Sequence, residues 1–322
     1  MKRFALSDWP ALAETLRRPY QDTYYAMYSS VYGGIVTEPS LMMLPLDDHM
    51  VHRGDGVFEA LKAVNGNLYN LAAHLDRLVN SANGIALTLP VSLAELKRIL
   101  LETIRVAGRP TCMVRIYISR GPGGFGVNPY ECPASQLYVV ITALGPPFMT
   151  LHPEGARLCT SEIPAKSAAM AQIKNCNYAP NVLMKKEAVD RKFNFSMGFD
   201  ERGFLTEGAT ENMGIVSQDN RLLFPNLDRI LTGTTMLRIM ELSQTLVREG
   251  KLAFSGLADI TRPDILSARE LIIAGTTLNV VAGVEFDGHS IGSGKPGPIY
   301  QRLSKLLEQD MRKNTAVLTP LM

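Results

Sequence analysis

Residues 92–142 constrain the fold of this chain more than any other stretch. Ser92-Leu93-Ala94-Glu95 has the form of a capping box, in which a serine and a glutamate satisfy each other's free backbone N–H groups. Apolar residues recur at Leu93, Leu96, Leu100, Ile104 and Ala107, and Gly108 stops the run, so the spacing predicts one amphipathic helix. Residues 113–118 and 137–142 read as strands, and between them Arg120-Gly121-Pro122-Gly123-Gly124-Phe125-Gly126 reads as a loop, because its glycines and proline permit little else. Strands and helices interleave here without the regular βαβ beat of a Rossmann sheet, which points to an α+β class.

The rest of the chain fits that frame. Residues 1 to about 30 read as a helical, aromatic-rich lead-in, after which Gly33-Gly34-Ile35-Val36 opens a series of short apolar segments. Pro146, Pro147, Pro153 and Gly155 place a linker at 149–162, between an N-terminal domain at 1–148 and a C-terminal domain at 163–322. A length of 322 residues suits two domains. The second domain is expected to hold a helix near 180–191, a hairpin through Asp200-Glu201-Arg202-Gly203, and a strand at 213–216. A further helix starts near Thr234, with Ile239, Leu242 and Leu246 as its buried stripe.

Composition removes several classes of function. A net charge of +2 with no block of like charge leaves no electrostatic footprint for nucleic acid. Apolar runs such as 271–274 are far too short to cross a bilayer. Asp8 falls where a signal peptide needs apolar residues, so a cytoplasmic protein is expected. Cys112, Cys132, Cys159 and Cys176 are scattered and read as reduced thiols. His49 and His52 flank Met50-Val51, which is not a common zinc spacing, and no third ligand block follows, so no metal is expected.

Three features carry chemistry. Lys174, in Gln172-Ile173-Lys174-Asn175-Cys176-Asn177-Tyr178, has few charged neighbours; it reads as a desolvated amine fit for Schiff-base chemistry or as a surface lysine. Thr232-Gly233-Thr234-Thr235 runs into a helix, which makes either a phosphate cradle or a plain threonine cap. Glu207 follows the expected hairpin, where a carboxylate is either functional or simply solvated.

Their order decides among these readings. With Gly54-Asp55-Gly56-Val57-Phe58-Glu59, His74-Leu75-Asp76-Arg77-Leu78, 173–183, Thr206-Glu207-Gly208 through Asn212, 231–235 and Gly275-Thr276-Thr277, the sequence resembles the class IV aminotransferases. These are pyridoxal-5′-phosphate (PLP) enzymes of fold type IV that include branched-chain aminotransferases, D-amino-acid transaminases and 4-amino-4-deoxychorismate lyases. The resemblance implies a small N-terminal α/β domain, a larger C-terminal PLP-binding domain with a barrel-like core, and a homodimer. It implies that Lys174 forms the Schiff base with PLP and shuttles the Cα proton, that Glu207 faces the pyridine nitrogen, and that Tyr178 bonds the ring's 3′ oxygen. Arg77, the N–H groups of Thr234 and Thr235, and Thr276 would hold the phosphate, and Leu231 would pack on the ring. Phe58, Arg115, and the N–H groups of Thr277 and Leu278 would meet the substrate, an amino acid or a 2-oxo acid.

The features that separate members of the family are mixed. Arg115 and Phe58 fit the branched-chain pattern, whereas Met113 and Ala60 replace its usual tyrosine and glycine, and Arg53 stands where many relatives carry a tyrosine. Arg115 also reads as one half of a structural ion pair on a strand. The loop at 120–129 lacks the histidine of the bacterial D-amino-acid transaminases and is similar to the loops of the lyase and of plant D-amino-acid transaminases. The lyase pattern has lysine at the Arg115 position and threonine at the Ala60 position. The expected function is therefore transamination of an aliphatic, including a branched-chain, amino acid, with a D-amino-acid transaminase or the lyase as alternatives.

Overall fold

The structure, a computed structural model, describes residues 1–321 and divides into two compact units. The first holds residues 1–144 together with the segment from Leu318 onward, and the second holds Gly145–Val317.

In the first unit the described residues form a seven-stranded sheet in the order β15-β4-β3-β5-β6-β1-β2. Its strands are β1 (Tyr24–Ser29), β2 (Gly34–Val36), β3 (Gly56–Val64), β4 (Asn67–Tyr69), β5 (Cys112–Ser119), β6 (Gln136–Thr142) and β15 (Leu318–Pro320). The helices are α1 (Trp9–Leu16), α2 (His49–Arg53), α3 (Leu71–Gly84) and α4 (Leu93–Ala107). The lead-in is helical only as far as α1 and two 3-10 turns. Tyr24-Tyr25-Ala26-Met27-Tyr28-Ser29 is a strand, because aromatic residues favour a pleated surface and β6 offers a free edge there.

The pairing β3–β5–β6 is antiparallel throughout, with Phe58 opposite Tyr117, Ala60 opposite Arg115, and Arg115 opposite Val140. Side chains alternate along a strand, so Val57, Glu59, Leu61, Ile116, Val114, Val139 and Ile141 share one face. That face is buried, and α3 and α4 pack on the sheet, while Phe58, Ala60, Arg115 and Tyr117 point the other way. Helix α4 buries Leu96, Ile99, Leu100, Thr103 and Ile104. Only half of the expected capping box forms: Ser92 Oγ accepts from Glu95 N, while the Glu95 carboxylate turns to Arg98 three residues on. Leu93 at the first turn is exposed rather than part of the stripe.

A buried carboxylate anchors the segment before β3. Asp48 caps α2 through Met50 N at 2.9 Å and accepts from Ser119 Oγ at 2.7 Å and Tyr138 Oη at 2.8 Å. Gly54 ends α2 at φ +67°, in the left-handed region that glycine enters without strain.

The second unit is built on β7 (Ala156–Thr160), β8 (Phe195–Met197), β9 (Asn212–Val216), β10 (Arg221–Pro225), β11 (Phe254–Ala258), β12 (Glu270–Gly275), β13 (Asn279–Phe286) and β14 (His289–Ser290). Their order is β11-β10-β9-β12-β13-β7-β8, with β14 paired to β13. Helices α5 (Phe148–Leu151), α6 (Ala168–Ala171), α7 (Ala179–Asp190), α8 (Thr234–Arg248), α9 (Arg262–Leu266) and α10 (Pro298–Lys313) complete it. Leu158, Met197, Ile215, Leu271, Ile273, Val281 and Phe286 centre its core. The segment 149–162, expected as a linker, carries β7, because Ala156, Leu158 and Cys159 supply an apolar strand that pairs with β13 and β8. Residues 318–320, expected in the second domain, pair with β4 of the first unit.

Candidate active site

Strand register brings the chemistry-bearing loops of the second unit to one end of its sheet. Asn212 opens β9 opposite Ala274, near the end of β12, and Gly275 pairs with Asn279 across a tight loop of Thr276, Thr277 and Leu278. Asn279 takes φ +63° to close that loop. Glu207 bridges to Asn212 at the same end, and β10 exits there toward Leu231 and α8. Thr277 is exposed, and Thr276 and Leu278 are half-buried.

Lys174 lies between α6 and α7, and both flanks are pinned. Gln172 Nε2 donates to Asp228 O at 3.3 Å, and Asn181 Nδ2 donates to Ala209 O. Lys174 Nζ donates to Tyr178 Oη at 3.2 Å. Tyr178 is the residue before α7, so its main chain is fixed by the helix while its ring remains half-buried.

Glu207 is held by a backbone donor, Leu231 N, at 3.1 Å from Oε2. Burial pushes its carboxyl up to about 7, against the pull of the Lys166 ammonium, the Leu231 N–H and the Lys174 ammonium. Asn212 Nδ2 in turn donates to Leu231 O at 2.9 Å, so Leu231 is held through both its N–H and its carbonyl, next to the Glu207 carboxylate.

Helix α8 begins at Thr234 with Gly233 as N-cap, a residue with no side chain to cap the first turn. A Cβ on Gly233 would collide with Asn212 Oδ1, so glycine is required where the backbone passes that side chain. Thr234 and Thr235 are buried. A helix start whose dipole points at buried hydroxyls suits an anion. An amine, a nearby phenol, a carboxylate and this anion cradle fit a phosphorylated pyridine aldehyde such as PLP.

The first unit holds three of the expected site residues. Arg77, on α3, makes a bidentate pair with Glu59 of β3 through Nε at 2.6 Å and Nη2 at 2.8 Å, and His74 Nδ1 lies 2.7 Å from the same carboxylate. Burial alone would raise Glu59, but Arg77 and His74 outweigh it and hold the carboxyl down to about 2. The sequence expectation for Arg77 is a phosphate grip; the structure adds that its guanidinium is oriented by Glu59, which His74 supports in turn, and neither is singled out by the sequence. Burial and alternation are the signal for them, since Glu59 is a charge on a helix-covered strand face.

Phe58 stacks on Tyr117 with ring centroids 5.8 Å apart. On the same face Arg115 Nη1 donates to Thr142 Oγ1 at 2.9 Å, and among the described residues no carboxylate lies within ion-pair distance of it, so the structural ion pair does not form. Arg115 lines a concavity of about 540 Å³ with Tyr24, Tyr117, Met27, Met42 and Met50. Arg53 donates to Phe125 O and Gly126 O of the glycine-rich loop. His49 and His52 face the main-chain carbonyls of Gly124 and Asp47. None of the four cysteines is in a disulfide, and burial pushes Cys112 and Cys159 up to about 11. No helix among the described residues is long and apolar enough to cross a membrane.

The chain is similar to known aminotransferases. The chain is 38% identical over 290 residues, 90% of its length and 77% of the relative's, to the chloroplastic D-amino-acid transaminase of Arabidopsis thaliana. It is 28% identical over 295 residues, 89% of its length and 98% of the relative's, to the D-alanine aminotransferase of Bacillus licheniformis. Among solved structures, the branched-chain aminotransferase of the thermophilic archaeon Thermoproteus uzoniensis, with norvaline, superposes with a TM-score of 0.82 over 93% of this chain and 100% of that one. At 23% identity that likeness is one of fold, the PLP fold type IV. Residues 56–286 match the family model for amino-transferase class IV, and the chain belongs to that family.

Proposed function

We propose that this class IV aminotransferase uses PLP, carried on Lys174, to move an amino group between an aliphatic amino acid and a 2-oxo acid. When bound, PLP supplies an electron sink that lets the Cα–H bond of an amino acid break. The chain supplies the rest. Lys174 would be the base that takes and returns the Cα proton, and its bond to Tyr178 keeps the amine oriented. Glu207 is the carboxylate for the pyridine nitrogen. Thr234, Thr235 and Thr276 would hold the phosphate, a role also proposed for the Glu59-oriented Arg77, and Leu231 would pack on the ring. Arg115 and the N–H groups of Thr277 and Leu278 would receive carboxylates, and Phe58 would meet the substrate.

The observation that carries the substrate class is Arg115: a half-buried guanidinium without a carboxylate partner, in a concavity otherwise walled largely by tyrosines and methionines. Such a wall suits an aliphatic chain, and the arginine suits an acid group. A D-amino-acid donor is a second reading, favoured by the 38% identity to a protein named as a D-amino-acid transaminase. We also propose a cytoplasmic homodimer. Phe125, Val127 and Tyr130 are 63%, 81% and 93% exposed on one loop, an apolar tip of the kind a second subunit covers.

The test is the visible absorption of the PLP-loaded protein during addition of single L- and D-amino acids. An aliphatic amino acid of one hand should bleach the band and a 2-oxo acid should restore it. A band that no aliphatic amino acid of either hand bleaches would sink the proposed substrate class.

A further inference from the structure

Lys174 is not the only lysine at this site. Lys166 Nζ lies 5.2 Å from the centroid of the Tyr178 ring, and Lys174 Nζ lies 5.7 Å from the same centroid. Lys166 also lines a cavity of about 20 Å³ together with Glu207, Thr206, Asn181 and Arg229. It therefore neighbours both the phenol and the carboxylate assigned to the two edges of the cofactor ring.

We propose that Lys166 is a positioning residue of the active site, a permanent ammonium that serves as counter-charge to Glu207 and packs on Tyr178. The inference rests on the reading of Glu207, Tyr178 and Lys174 as cofactor ligands.

The argument is a census of charge around Glu207. Three cations surround it: Lys166, Lys174 and Arg229. Arg229 is answered by other carboxylates, Asp259 at 2.9 Å, Asp228 at 3.4 Å and Asp200 at 3.7 Å. Lys174 yields its amine to the cofactor, so its ammonium cannot be a lasting partner. Glu211, the nearby anion, works against ionisation of Glu207 and takes its own donors from Thr210 N and Oγ1. Lys166 remains: its environment contains Glu207, and among the described residues no carboxylate lies within ion-pair distance of it. Lys166 and Glu207 line the same small cavity, and burial draws Lys166 below the usual lysine range while Glu207 pulls it back up.

The test titrates the visible band of the PLP-loaded protein with pH in the wild type, Lys166→Met, Lys166→Gln and Lys166→Arg. Loss of a nearby cation favours proton binding at every neighbouring group, so Lys166→Met should move the midpoint upward by about one pH unit. Lys166→Gln should move it the same way, and it serves if the methionine variant does not fold. Lys166→Arg should stay with the wild type. In a Glu207→Gln background most of the shift should vanish, which separates action through Glu207 from general packing. Neutral variants that superimpose on the wild type would overturn the proposal, as would an arginine variant that moves as far as the methionine one. A wild type with no visible band would remove the cofactor-ligand reading and this proposal with it.

Discussion

Glu207 shows how a residue assigned to the cofactor can be costly to the fold. Its carboxyl is raised to about 7 in the folded chain, above its ordinary 4.5, so the folded state binds this proton more tightly than the unfolded state does. The stability linked to it is present below pH 4.5 and is lost as pH rises through 7. In the cofactor-free protein at pH 8, Glu207→Gln should therefore stabilise by on the order of 1–3 kcal/mol, read as a rise of about 2–6 °C in melting temperature. At pH 4.5 the gain should largely disappear, whereas an equal gain at both pH values would contradict burial as the cause. The same variant should slow transamination severely while still binding PLP. The sequence singles out Lys174 and Glu207 as candidates, because each sits in a short block whose residue order is distinctive. It gives no role to Lys166 or Glu59, because the contacts that distinguish them are with residues 41 and 18 positions away along the chain (Glu207 and Arg77).

At the level of elements, α8 matters through its first turn. Gly233 passes so close to Asn212 Oδ1 that even alanine would push Asn212 away from Leu231 O. Gly233→Ala is expected to destabilise by roughly 1–3 kcal/mol. It should also weaken PLP binding at least tenfold, measured by equilibrium titration of the cofactor-free protein. A variant that binds PLP normally would show that Asn212 has room to turn. Helices α4, α7 and α8 were legible because capping residues, a proline or a glycine mark their ends within a few positions. The strand at Tyr24–Ser29 was not, since six residues rich in tyrosine read equally as helix until β6 offers an edge. The missing half of the Ser92 cap has a similar origin. Arg98 competes for Glu95 with a charge, and a charged partner outbids a backbone N–H on an exposed surface.

For the whole molecule, the two units were legible as α+β domains, but which strands each would claim was not, because pairing across long separations leaves little local trace. A homodimer should run at twice the chain mass in light scattering. Replacing both Phe125 and Tyr130 with aspartate should shift it toward the monomer, and an unshifted dimer would place the interface elsewhere. The return of β15 to the edge of β4 has a consequence for synthesis. As the ribosome releases the chain from its N-terminus, the first sheet can assemble β1 to β6 early, yet its β4 edge stays bare until the whole second unit has emerged. In the finished sheet the edge is the three-residue β15 with Pro320 at its end, a poorer template for pairing than the bare β4, so the nascent chain is the more prone to pair with a neighbour on the same polysome.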